Sequence, residues 1–294
     1  MIWGLAAYLM WGLFPAFFPL LQSATPTEIL AHRFVWTLVF MLVLLATVRG
    51  FKQLRNITAR QWWIVSAAAV LISVNWGLYI YAVNNHHVAD AALGYFINPL
   101  VSVLLGVIVL GEKLRRLQLV SVGIATVAVV VLTVALGQPP IISLGLAFSF
   151  GFYGLVKKQV SLTPIQSLTA ETLVLAPVGL IYLGFLQSQG TNTFVQLGAG
   201  HAGLLMLAGV VTALPLLCFA RAAQEMSLTS LGMVQYITPV IQMLWAVFVN
   251  SEHIEPARWV GFVLIWIAVI VFVIDLLSHR PPRVRRVKKL GASV

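Results

Sequence analysis

The chain has 294 residues, 60% of them hydrophobic and only 9% charged, with a formal net charge of +10. A water-soluble domain carries about 25% charged residues, and no soluble core of this length hides so much apolar surface, so the solvent is lipid. The single cysteine, Cys218, excludes an internal disulfide and argues against a multi-cysteine metal site.

Ten runs of about 20 apolar residues, each long enough to cross a bilayer, follow in order. They are spans 1 to 10, at 2–21, 28–48, 61–82, 88–110, 116–136, 141–158, 166–186, 201–221, 228–249 and 257–277. The first run ends in prolines and turn residues, with no small-residue cleavage site, so it is expected to stay as a span. Basic residues fall in alternate connections. Arg49, Lys52, Arg55 and Arg60 lie between spans 2 and 3. Lys113, Arg115 and Arg116 lie between spans 4 and 5, Lys157 and Lys158 follow span 6, and Arg221 ends span 8. The tail carries Arg280, Arg283, Arg285, Arg286, Lys288 and Lys289. The other connections, QSATPTE, NNHH, GQPP, QSQGTNTFVQ and SEHIEPAR, have Arg258 as their only Lys or Arg. Loop Lys and Arg mark the cytoplasmic side, so a multi-pass membrane protein with both termini cytoplasmic is expected. The basic tail reads as an orientation signal beside anionic lipid, and no nucleic-acid partner is expected.

The chain also repeats itself. TPTEILAHR at 25–33 matches TPIQSLTAE at 163–171, YFINPL at 95–100 matches QYITPV at 235–240, and GEK at 111–113 matches SEH at 251–253. GLAAYLMWGL at 4–13 is similar to GLAFSFGFYGL at 145–155. The expected organisation is a first five-helix repeat at 1–138, a second at 139–278 and a basic cytoplasmic tail at 279–294. Five is odd, so the second copy crosses in the opposite sense. Inverted repeats of this kind recur in secondary transporters, with the substrate site near the midplane between the copies.

Several residues are candidates for function. Arg33 and Glu171 occupy equivalent places, eight residues past the helix-starting threonines, or about 12 Å along the helix. An unpaired charge at that depth costs at least about 2.5–3.5 kcal/mol. Arg33 therefore either snorkels outward and binds carbonyls, or faces a cavity and attracts an anionic group. His32 beside it reads as structural. Thr25-Pro26-Thr27-Glu28 and Thr163-Pro164-Ile165-Gln166 read as capping boxes, and Asp90 as a helix-start residue. Asn98-Pro99 and Thr238-Pro239 mark paired breaks in spans 4 and 9, since proline frees a carbonyl one turn back. Pro15, Pro99 and Pro239 are the expected hinges. Polar and aromatic residues at similar depth are the expected substrate-binding set: Trp11, Asn75, Trp76, Tyr79, Tyr95, Asn98, Tyr153, Gln235 and Tyr236. Aromatic walls with a few amides and hydroxyls suit a small, partly apolar organic molecule.

Two five-helix copies with basic cytoplasmic loops resemble the EamA domains of the drug/metabolite transporter superfamily. More narrowly, His32-Arg33, NWGLYIYAV at 75–83, LGYFINPL at 93–100 and QYITPV at 235–240 are similar to the RarD, or chloramphenicol-sensitive protein, group. The resemblance implies a ten-helix permease of the bacterial inner membrane, with its cavity between the copies, that exports small organic metabolites or drugs. No H-E-x-x-H, G-x-S-x-G or P-loop string is present, and His86-His87 has no carboxylate cluster beside it. No catalytic residue, metal or cofactor is expected, and the chain reads as a monomer or a dimer. The rival class is an intramembrane enzyme or sensor acting on a lipid or small amphipathic ligand. An enzyme would need a nucleophile or paired carboxylates in the cavity.

Overall fold

The computed structural model describes residues 1–85, 87–137, 140–251 and 256–278. His86, residues 138–139 at the expected repeat boundary, residues 252–255 and residues 279–294 of the expected tail lie outside the described residues. Among the described residues ten helices are long and apolar enough to cross a membrane, as the sequence predicts. They are α1 (Ile2–Leu21), α2 (Pro26–Thr47), α3 (Ala59–Asn84), α4 (Val88–Ile108), α5 (Arg116–Leu136), α6 (Ile141–Gln159), α7 (Pro164–Ser188), α8 (Gly198–Glu225), α9 (Leu228–Phe248) and α10 (Pro256–Ser278).

Caps set where several helices start. Thr25, Thr58, Thr163 and Ser227 each accept a backbone N–H from the first turn of α2, α3, α7 and α9. These are the orphan donors that lipid cannot satisfy. The box at Thr163 is complete, with Gln166 reaching back to the Thr163 N–H at 3.1 Å. The expected box at Thr25 is only half formed. The Glu28 carboxylate accepts instead from Thr193 N at 2.7 Å and Thr193 Oγ1 at 2.9 Å, in the short turn before α8. Hydrogen bonds to a charged acceptor are about twice as strong as neutral ones, so Glu28 ties the start of α2 firmly to that turn.

Proline acts unequally along the chain. In α1 the first helical run ends at Gly12, two further short turns carry Pro15 and Pro19, and the span is broken. In α9 the helix breaks at Tyr236, one turn before Pro239. The matching break expected in α4 is absent: Pro99 lies inside an unbroken helix. Tyr236 Oη donates to Phe96 O at 3.1 Å in that turn, where the proline disturbs the ladder.

The helices pack in three groups. α2, α3, α7 and α8 lie together, α1, α4, α6 and α9 sit beside them, and α5 pairs with α10 at the far end. The principal pairs are α2–α7, α2–α8, α3–α7, α3–α6, α1–α8, α4–α6, α1–α9, α4–α9 and α5–α10. Exchanging each helix for the one five positions along returns the same set of pairs. Between apolar helices in lipid the close approach of small residues drives packing. At Gly209 of α8 a Cβ would press on the Trp36 backbone of α2 and lie 2.6 Å from Thr37 N. At Gly232 of α9 it would lie 2.8 Å from Pro99 O of α4. Thr37 Oγ1 donates to Gly209 O at 3.1 Å, so the first crossing is bonded as well as close.

Candidate functional site

The group of α2, α3, α7 and α8 encloses a cavity. Arg33, Phe34 and Thr37 come from α2, Ile72 and Trp76 from α3. Leu168, Glu171, Thr172 and Leu175 come from α7, and Thr212 and Leu216 from α8. Its empty volume of about 280 Å³ includes open solvent, and the space free of side chains is that of about one water molecule.

Both residues that carry an intramembrane charge border this space, although the surface it exposes is apolar. Arg33 points inward, where its Nε donates to Thr212 Oγ1 at 2.8 Å. Its guanidinium carbon lies 3.9 Å from the centre of the Trp76 ring and 5.3 Å from that of Phe18. The ring faces supply part of the electrostatic contact that burial removes. Glu171 is buried and paired: Lys157 Nζ lies 2.5 Å from its Oε1. Ser167 Oγ donates to the same oxygen at 2.7 Å and Tyr153 Oη to Oε2 at 3.2 Å. Lys157 also donates to Ser167 at 2.6 Å. Ser167 accepts from Lys157 through a lone pair and donates its own proton to Glu171, so it bridges the two charges.

Lys157 corrects the charge map. The sequence reading places it with the cytoplasmic loop charges, yet it is 1% exposed within α6. Arg115 stays 39% exposed beside its loop, yet its Nη2 lies 2.6 Å from Oδ2 of the fully buried Asp275 of α10. A signal for Lys157 does exist in the sequence. It lies four residues past Tyr153, so the two share a face, and a buried Glu171 calls for a cation nearby.

The expected substrate-binding set is spread over several places. Trp76 lines the cavity. Tyr79 is 41% exposed, and its ring centre is 6.0 Å from that of the half-buried Tyr95. Trp11 and Tyr153 belong to an aromatic cluster with Tyr8, Phe150 and Phe219, in which Tyr153 and Phe219 stack at 5.6 Å. Asn75 joins α3 to α6, donating to Leu146 O at 2.8 Å and Ser149 Oγ at 3.0 Å. Tyr236 joins α9 to α4 through Phe96. Asn98 and Gln235 are buried, and each has an amide oxygen without a hydrogen-bond partner among the described residues. His32 accepts from Trp36 Nε1 at 3.2 Å and stacks on Phe194 at 5.0 Å, away from the cavity. Phe34, Thr37, Thr172 and Thr212 line the cavity without having been singled out by the sequence. No group of three metal-ligating side chains occurs among the described residues.

The EamA-like transporter family model matches residues 1–134 and again 140–274. The chain belongs to the EamA-like transporter family. The resemblance to RarD holds along most of the chain. Protein RarD of Streptomyces exfoliatus is 48% identical over 94% of this chain and 89% of its own length. Protein RarD of Escherichia coli K12 is 43% identical over 93% of both chains. The uncharacterized transporter YojE of Bacillus subtilis is 43% identical over 95% of both. A solved crystal structure at 15% identity shares the fold, with a TM-score of 0.71 over 95% of this chain and 98% of that one. The family is one of multi-span membrane transporters, and this chain is a multi-pass membrane protein.

Proposed function

We propose that the protein is a secondary transporter of small organic metabolites or drugs, working by alternating access. The observation that carries this reading is the cavity between α2, α3, α7 and α8, which holds Arg33 and Glu171 from equivalent positions of two matched segments. Two of its four walls come from each half of the chain, so rocking one half against the other opens it to either side. The paired packing of helices five positions apart supports the same motion. The occupant is a solute and no reaction takes place: the Glu171 carboxylate is committed to Lys157, and the named relatives are transporters. Export is the direction suggested by the resemblance to metabolite exporters. The basic connections on one side support cytoplasmic termini in a bacterial inner membrane.

Flux tests it directly. Purified protein in proteoliposomes should move a labelled solute found by comparing the medium and intracellular pools of overproducing and control cells. Arg33→Gln at equal membrane abundance should lose most of that flux. Undiminished flux in Arg33→Gln would remove the cavity from the transport path. Cysteines placed singly in 111–116 and 251–258, after Cys218→Ser, should label from opposite sides of intact cells. Labelling from one side would end the inverted arrangement.

A further inference from the structure

The charge balance of the cavity narrows the substrate class. Two of its lining side chains are charged. Glu171 is neutralised by Lys157 at 2.5 Å, and its two oxygens also receive the Ser167 and Tyr153 hydroxyls. Arg33 has no carboxylate within 4.0 Å among the described residues. Its Nε is taken by Thr212 and its face by Trp76. The Nη1 and Nη2 edge makes no hydrogen bond to a described residue. The Trp76 ring, 3.9 Å from the guanidinium carbon, limits its movement, and the unbonded edge offers the two donors that a carboxylate accepts in parallel.

We propose that the substrate is an organic monoanion, a carboxylate on a compact apolar body. The proposal rests on reading this cavity as the solute site of a transporter. The carboxylate meets the Arg33 fork and restores neutrality to a space otherwise left with one positive charge. The apolar body packs on Phe34, Ile72, Leu168, Leu175 and Leu216, which give it no hydrogen bond. A dianion such as a phosphate monoester would need a second cation, and Lys157 is already held by Glu171 and Ser167. A zwitterionic amino acid would need a free carboxylate for its ammonium group, and Glu171 is already paired. Neutral solutes would leave the half-buried guanidinium without a counter-charge.

Three probes of matched shape separate these classes: phenylacetate, phenylacetamide and phenylalanine. Binding to the full-length protein in nanodiscs is followed by calorimetry, and flux is followed in proteoliposomes. Phenylacetate should bind at least about tenfold tighter than either comparator, from the greater strength of a hydrogen bond to a charged group. Arg33→Gln should bring the acid-to-amide ratio close to one. Arg33→Lys, which keeps the charge and loses the fork, should fall between. Trp76→Leu keeps the charge and removes its support, so it serves where Arg33→Gln does not fold, and it too should shrink the ratio. Equal binding of acid and amide, a preference that survives both Arg33→Gln and Trp76→Leu, or no binding of phenylacetate at all would overturn the monoanion assignment. Flux of phenylalanine or phenylacetamide without phenylacetate would also overturn it while transport stands. Selective phenylacetate binding without flux would leave the assignment standing and count against transport.

Discussion

Replacing Lys157 with Met keeps the length of the side chain and removes its ammonium group. Glu171 is then a carboxylate about 1% exposed, without its cation. Breaking a buried pair by removing one partner costs about 3–5 kcal/mol. Here Glu171 keeps the Ser167 and Tyr153 hydroxyls at 2.7 and 3.2 Å. Hydrogen bonds to a charged group are each worth about 1.5–3 kcal/mol, so the low end applies, about 3 kcal/mol. At about 2–4 °C per kcal/mol for a chain of a few hundred residues, the unfolding midpoint should fall by about 6–12 °C. The assay is thermal unfolding of purified protein in a mild detergent, followed by the fluorescence of a thiol dye on Cys218. The double variant Lys157→Met with Glu171→Gln removes both charges and should recover most of the loss, because an apolar or neutral replacement of a buried pair is close to neutral. A Lys157→Met midpoint equal to wild type, or a double variant as unstable as the single, would refute the account of Glu171 as a charge held by Lys157.

Gly209→Ala should destabilise by about 1–3 kcal/mol through overpacking against the Trp36–Thr37 backbone. Gly184→Ala, whose Cβ would meet nothing within 4 Å, should leave the midpoint unchanged or raised; equal losses at the two sites would refute the close crossing of α2 and α8. Glu112 caps the start of α9, accepting from Leu228 N at 2.7 Å and Thr229 N at 2.9 Å. Glu112→Gln should cost about 1–2 kcal/mol as the charge at the helix N-terminus is lost, with the midpoint again the measurement and no change the refuting result. Glu28→Ala should free the turn at Thr193, seen as faster amide exchange in residues 190–198, and exchange at the wild-type rate would show that the carboxylate does not hold that turn.

The ten spans and the family were legible because each is written along one dimension. Apolar length and recurring strings need no knowledge of which helix lies beside which. Arg33 and Glu171 stood out for the same reason, since a charge in lipid is conspicuous wherever it points. Which face of each span turns inward was far less legible. In a soluble helix the apolar stripe marks the core, but here lipid and protein interior are equally apolar and the stripe vanishes. Asn75 and Tyr236 therefore look like cavity residues in the sequence and serve as cross-links between helices in the fold. Lys157 looks like a loop charge and is a buried counter-ion, because its role depends on how α6 is rotated against α7. Glu28 reads as the cap of its own helix and bonds a turn 165 residues away. The sequence by itself determined how many helices cross the membrane and where charge must be buried. Only the tertiary structure decided the partners of those charges, since a pairing energy falls off over a few ångströms and depends on separations that no spacing along the chain records.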